Sequence, residues 1–299
     1  MDFTGIHQRF IDVRDAWMKD GAPLIDLPER EVREDDFEYV NASAFSSCPK
    51  LAAYERLRKP TKFEAQELGW LSYRGMAGTA LAHLWQSAFK WYWGDLVLIE
   101  HYTRSPATYV KGYADVVFLP GTFHPDKPVV IEIKSRELGH KRELRLSDAW
   151  QAHSYAVNLD TNYHAIMTIN WGDRDTNGMN LWGAVHAGDG WSYRNQRGHY
   201  FNGPWNHVGM LNDAGLFDVV ARHLTYLQGE ETPPIADPFN HPESWHCIEW
   251  EVYPSKATNG DGVAVNNCPV GCHFETVDQR ISVSRGSDGR LVPVDSIIF

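Results

Sequence analysis

Two neighbouring runs, Tyr-Val-Lys-Gly-Tyr-Ala-Asp-Val-Val-Phe-Leu (109–119) and Pro-Val-Val-Ile-Glu-Ile-Lys-Ser (128–135), set single polar positions among valines, isoleucines and aromatics. Short apolar runs of this kind bounded by turn signals read as strands. The stretch that separates them, Leu-Pro-Gly-Thr-Phe-His-Pro-Asp-Lys-Pro (119–128), is rich in turn-forming residues. The pattern therefore predicts an antiparallel hairpin. Its symmetry places Asp115 opposite Glu132, because the midpoint between them falls inside the turn. Opposed residues of an antiparallel pair have Cβ atoms about 4.5–5.5 Å apart, and like charges so placed repel. Two carboxylates kept there among valines and isoleucines imply a cation between them. Alternation also puts Glu132 and Lys134 on one face of their strand, with Ile131 and Ile133 on the other.

The same reading extends along the chain. Residues 1–40 mix apolar and acidic positions and predict a helix followed by a loop. Cys48-Pro49 opens a short helix over 50–58, proline suiting a first helical position. A second helix is expected over 75–93, with Leu81, Leu84, Trp85 and Ala88 as its apolar side. Strands are predicted at 96–103, 109–119, 128–135, 163–171 and 179–187. A helix over 147–159, capped by Ser147 or Asp148, interrupts them. Its Gln151 and Tyr155 stand four apart and share a face. Residues 188–208, full of Gly, Asn, Trp and Tyr, read as a long aromatic loop. A helix over 209–228, a proline-rich stretch at 233–242 and an irregular, cysteine-bearing end complete the chain. Helix, three strands, helix, strand within 75–171 predicts an α/β core with a mixed central sheet flanked by helices. Around it we expect an N-terminal region (1–74), a core (75–230) and a C-terminal region (231–299), forming one composite domain.

Composition narrows the function classes. The chain has 299 residues, 43% of them hydrophobic, and a formal net charge of −11. That balance argues against broad, non-specific nucleic-acid affinity. The basic residues are uneven, however: Lys134, Arg136, Lys141, Arg142 and Arg145 follow the Glu-x-Lys element directly, which points to phosphate contacts. A second group, Arg56, Arg58, Lys59 and Lys62, reads equally well as a solvated face. No apolar run reaches the roughly 18 residues of a membrane span. The N-terminus lacks the basic start and apolar core of a secretory signal. A cytoplasmic protein with no membrane contact is the expectation.

Four elements then occur in order: His83 in Gly-Thr-Ala-Leu-Ala-His (78–83), Gly-Tyr-Ala-Asp115, Glu132-Ile-Lys134, and Gln151-x-x-x-Tyr155. Together they resemble the RecB-like branch of the PD-(D/E)XK nucleases, including the iron–sulfur exonucleases of CRISPR adaptation and related phage nucleases. The likeness covers roughly 45–171. It implies a restriction-endonuclease-like core and a metal-dependent deoxyribonuclease, a phosphodiesterase more exonuclease than endonuclease, acting on single-stranded or duplex DNA ends. Asp115, Glu132, the Ile133 carbonyl and His83 would hold Mg²⁺ or Mn²⁺. Lys134 would face water and the scissile phosphate, and Gln151 and Tyr155 would shape the site. Protein partners in DNA processing would follow. A different class of function stays open: a non-catalytic nucleic-acid-binding or assembly subunit that keeps the nuclease fold.

The four cysteines, Cys48, Cys247, Cys268 and Cys272, are too few in a chain of this length to suggest a disulfide framework. One precedes the core and three follow it. In the resembling family that layout implies a [4Fe–4S] cluster tying the N- and C-terminal extensions together. The spacing departs from the family, since twenty residues separate Cys247 from Cys268. Zinc on the same thiolates is the competing reading, with His246 or His273 as substitutes in a mixed site.

Overall fold

A computed structural model describes residues 2–29, 38–46, 65–136, 144–170, 178–201, 211–228, 248–252, 262–266, 280–285 and 291–293. The expected helix at 50–58, the basic stretch 137–143 and all four cysteines lie outside them. The chain divides into two compact units, one formed by Met1–Phe45 and Trp70–Ala221, the other by Ser46–Gly69 and Arg222–Phe299.

The first unit is a mixed α/β layer structure. Helix α1 (Phe3–Asp20) starts where the Asp2 carboxylate accepts the Thr4 and Gly5 N–H groups, and it stops at Gly21 in the left-handed region. Helix α2 (Ala65–Trp93) begins ten residues earlier than the apolar pattern indicates. Trp85, Ala88, Phe89 and Trp93 are its buried stripe, whereas Leu84, expected on that stripe, is exposed. Strands β1 (Val40–Asn41), β2 (Val97–Ser105), β3 (Val110–Phe118) and β4 (Val129–Arg136) lead to helix α3 (Leu146–Asn158). Strands β5 (His164–Asn170), β6 (Met179–Ala187), β7 (Gly190–Asn195) and β8 (Leu211–Asn212) follow, and helix α4 (Asp213–Leu227) comes after them. The sheet runs β1-β3-β4-β5-β6-β7-β8, with β2 paired along β3. β4 and β5 are parallel and joined through α3; the other neighbours from β2 to β8 are antiparallel.

Two local expectations change. Helix α3 is capped by Arg145, not by Ser147 or Asp148: Asp148, three residues into the helix, turns its carboxylate back onto the Arg145 N–H at 3.1 Å. The aromatic loop expected over 188–208 contains strand β7, folded onto β6 by a tight turn in which Gly188 is left-handed, with φ at +61°. Trp191 and Tyr193, which made this segment look loop-like, are buried core residues. Turn glycines and buried aromatics within a few residues of each other obscure a short hairpin.

One face of the sheet carries the larger core. Phe10 of α1, Phe89 and Trp93 of α2, Phe118 of β3 and Phe123 of the β3–β4 turn interlock there, with Phe10–Phe89 ring centroids 4.6 Å apart and Trp93–Phe118 4.9 Å. Gly183 of β6 leaves the space that the Phe3 ring fills. The opposite face packs α3, whose Trp150 and His153 meet Trp191 of β7. The second unit contributes, among the described residues, a four-stranded antiparallel sheet of β9 (Ile248–Val252), β10 (Gly262–Asn266), β11 (Arg280–Arg285) and β12 (Leu291–Pro293) in the order β12-β11-β10-β9. The sequence pattern marks this end as irregular; its strands are too short for a period of two to stand out.

Candidate active site

The site forms where β3 and β4 part. Their ladder pairs Phe118↔Val129, Val117↔Val130 and Val116↔Ile131 and stops there. One step further, the register sets Asp115 across from Glu132, as the hairpin symmetry predicts. Lower on the same edge of β3, Val110 and Lys111 pair with β1 instead. Residues 112–115 thus form the inner edge of a fork between β1 and β4. The Asp115 carboxylate takes over from the missing ladder bond and accepts the Ile133 N–H at 2.6 Å.

From β4, Lys134 Nζ donates to Glu132 Oε1 at 2.7 Å and to Gln151 Oε1 on α3, also at 2.7 Å. Gln151 Nε2 in turn donates to the Tyr155 hydroxyl at 3.3 Å. The i, i+4 spacing on α3 turns both side chains to the fork, and Gly112 makes room for the tyrosine ring. Asp115, Ile133, Glu132, Lys134, Gln151 and Tyr155 therefore belong to one connected polar group. His83 takes a different place: its Nε2 donates to the Ile25 carbonyl at 2.7 Å. To ligate a cation it would have to use Nδ1 or give up that bond. Gln86, three residues further along α2, does touch the group. Its amide donates to Glu100 Oε1 at 2.9 Å and to the Asp115 carbonyl at 3.2 Å.

Burial sets the electrostatics. Glu132 is 1% exposed, and its Oε2 has no hydrogen-bond partner. Burial first, and then the Asp115 charge, raise the Glu132 carboxyl well above the ordinary range against the opposing pull of Lys134. Asp115 is raised to about 6, chiefly by burial; Lys134 opposes the shift and Glu100 adds to it. Burial works against the Lys134 ammonium, yet Glu132, Asp148 and Asp115 together outweigh it and hold the lysine above its usual value. Lys134 is a fixed cation at neutral pH. Tyr155, pushed up mainly by burial, stays a neutral phenol.

Among the described residues no three His, Cys, Asp or Glu side chains converge as a ready-made cage. The donor set nevertheless fits a hard divalent cation. Mg²⁺ is typically bound through one or two carboxylates while keeping several waters. Glu132 Oε2 is a buried acceptor with nothing to accept, next to a second carboxylate that ionises near neutrality. Sequence reasoning passed over Glu100, Gln86 and Asp148. Glu100 was within reach of it, as a lone acid in the apolar strand Val-Leu-Ile-Glu (97–100); for Gln86 the sequence holds no signal.

No family profile matches this chain, and no curated protein does. Among solved structures, that of SSO0001 aligns with 73% of this chain and 85% of its own at 16% identity, with a TM-score of 0.41. Likeness of that size carries no inference about activity. Among the described residues no helix is long and apolar enough to cross a membrane.

Proposed function

We propose that this protein is a divalent-metal-dependent deoxyribonuclease of the PD-(D/E)XK type, acting as an exonuclease on single-stranded ends. The observation that carries the reading is the orphaned, buried Glu132 Oε2 beside Asp115, with Lys134 fixed between Glu132 and Gln151. Like-charged carboxylates in register destabilise a sheet unless a cation is held with them. Asp115 and Glu132 would hold Mg²⁺ or Mn²⁺, which, when bound, lowers the pKa of a coordinated water and neutralises phosphate charge.

The chain's own groups do the rest. Lys134 stays protonated and presents a positive charge to the phosphate, so it stabilises charge rather than removing a proton. Gln151 holds the ammonium in place through its carbonyl oxygen, and Tyr155 fixes Gln151 from behind. Asp115 and Lys134 keep partial exposure while Glu132 is closed off. Substrate would thus approach from the side of the fork where Asp115 and Lys134 open to solvent. The four cysteines are proposed, on their sequence layout alone, to bind a [4Fe–4S] cluster; a colourless protein containing zinc and no sulfide would replace that with a zinc site.

The test is degradation of end-labelled linear and of circular single strands by the purified protein with Mn²⁺ or Mg²⁺. Loss of linear strands, sparing of circles, and inactivity of Asp115→Ala and Lys134→Ala are expected. Activity that survives both substitutions would sink the assignment.

A further inference from the structure

The row of acids does not end at the β3–β4 hairpin. β2 pairs with β3 through Ile99↔Val116 and His101↔Ala114, which leaves Glu100 and Asp115 as the positions facing each other between those pairs. Glu100, Asp115 and Glu132 therefore occupy one row across three adjacent strands. Glu100 is 7% exposed, so its charge is not dispersed into solvent. It also leaves the extended conformation of its strand, with φ at +50°. A non-glycine residue in that region is uncommon and marks a backbone held by its surroundings, often at a functional site. Gln86 helps to hold it, since its one amide group donates to both the Glu100 carboxylate and the Asp115 carbonyl. The second, independent sign of a ligand is Glu132 Oε2, buried and unpartnered at the other end of the row.

We propose that Glu100 is an outer carboxylate of the Asp115–Glu132 site, a positioning residue clamped by Gln86 that accepts hydrogen bonds from the waters of a bound divalent cation. This rests on the metal-dependent reading above. It accounts for a site in which three acids are aligned while no three of them close directly on one point: a small, strongly hydrated cation keeps waters between itself and part of its acidic surroundings. Outer partners of this kind orient the inner shell, and their loss costs about 10- to 100-fold in metal affinity.

The experiment is a Mn²⁺ titration of the full chain, following the electron paramagnetic resonance signal of free Mn²⁺, for the wild type, Glu100→Gln, Glu100→Asp, Gln86→Ala and Asp115→Asn. Melting temperatures of each protein are measured with and without Mn²⁺. Glu100→Gln is expected to weaken Mn²⁺ binding about 10- to 100-fold while leaving the metal-free melting temperature unchanged or higher, since one buried charge is gone. Glu100→Asp recovers part of the affinity, and Gln86→Ala weakens binding less than Glu100→Gln. A merely structural role predicts the reverse, a lower metal-free melting temperature and unchanged affinity. Wild-type affinity in Glu100→Gln overturns the inference while leaving the metal site standing. If the wild type binds no Mn²⁺ and Asp115→Asn behaves identically, the metal-dependent reading falls and takes this inference with it.

Discussion

The hydroxyl of Tyr155 stands where a side chain on residue 112 would begin: a Cβ built on Gly112 would lie 2.6 Å from that oxygen and 3.0 Å from the ring Cε1. Gly112 is in the inner edge of the fork, and Tyr155 backs the Gln151 that holds Lys134. A single glycine on β3 thereby sets where the α3 side of the site can sit. Gly112→Ala is expected to destabilise the protein by about 1–3 kcal/mol, the usual cost of overpacking. Tyr155→Phe in the same background removes the nearest atom and should return part of that loss. A double-mutant cycle on denaturation midpoints checks the coupling, and additive effects would show that the two residues do not meet.

Lys134 is the cation closest to a carboxylate that is 1% exposed. Lys134→Met should lower stability by about 3 kcal/mol at pH 8, because removing one member of a buried pair leaves the other uncompensated. The loss shrinks at lower pH, where Glu132 takes up a proton and becomes neutral. Adding Glu132→Gln should restore most of the stability and none of the activity. Thermal melts of the two variants at pH 8 and pH 5.5 separate these outcomes.

Asp115 links the site to pH. Its folded pKa of about 6 lies above that of an unfolded aspartate, near 3.9. Between those values the folded state binds more protons, so this group's contribution to stability is present at low pH and lost as pH rises through 6. Asp115→Asn should therefore raise the melting temperature of the metal-free protein at pH 7.5 and change it little at pH 4. Metal binding requires the ionised form. Apparent Mn²⁺ affinity should therefore fall as pH drops through 6, as read by titration at fixed ionic strength.

A second group responds to acid with the opposite sign. His153 and His164 are buried on the α3 face, with ring centroids 5.2 Å apart, and His153 Nε2 pairs with Asp213 Oδ1 at 2.8 Å. Burial lowers both pKa values, that of His164 well below the ordinary one. Near and below pH 6.5 the unfolded chain takes up protons that the folded state refuses, so stability falls as pH drops. In an Asp115→Asn background, where the opposing trend of that carboxyl is removed, the melting temperature should decline from pH 7 to pH 5.5. His164→Phe, which keeps a ring in the site and removes the titration, should make that decline smaller; an unchanged slope would assign the acid sensitivity elsewhere.

The position of the turn between 109–119 and 128–135 was enough to give the β3–β4 register and so the pairing of Asp115 with Glu132. Both follow from a hairpin closed symmetrically about its turn, which a chain carries in its residue order. The i, i+4 spacing of Gln151 and Tyr155 likewise gave their shared helix face. Strand β7 escaped because its aromatic residues and flanking glycines resemble loop composition, and the second unit's sheet escaped because its strands are short.

What only the tertiary structure decided is how separate elements meet. Nothing in the order of residues says that β2 sets Glu100 beside Asp115, that Gln86 reaches that row while His83 turns to the Ile25 carbonyl, or that β4 leaves β3 beyond Val116 and opens the fork. Those depend on the register that β2 takes against β3 and on which stripe of a 29-residue helix turns inward. The burial of Trp85, Phe89 and Trp93 settles that rotation, not the spacing of any polar residue. The sequence by itself named two carboxylates and a lysine; packing supplied the third acid, the clamp that holds it, and the low-dielectric surroundings that shift the charges of all of them.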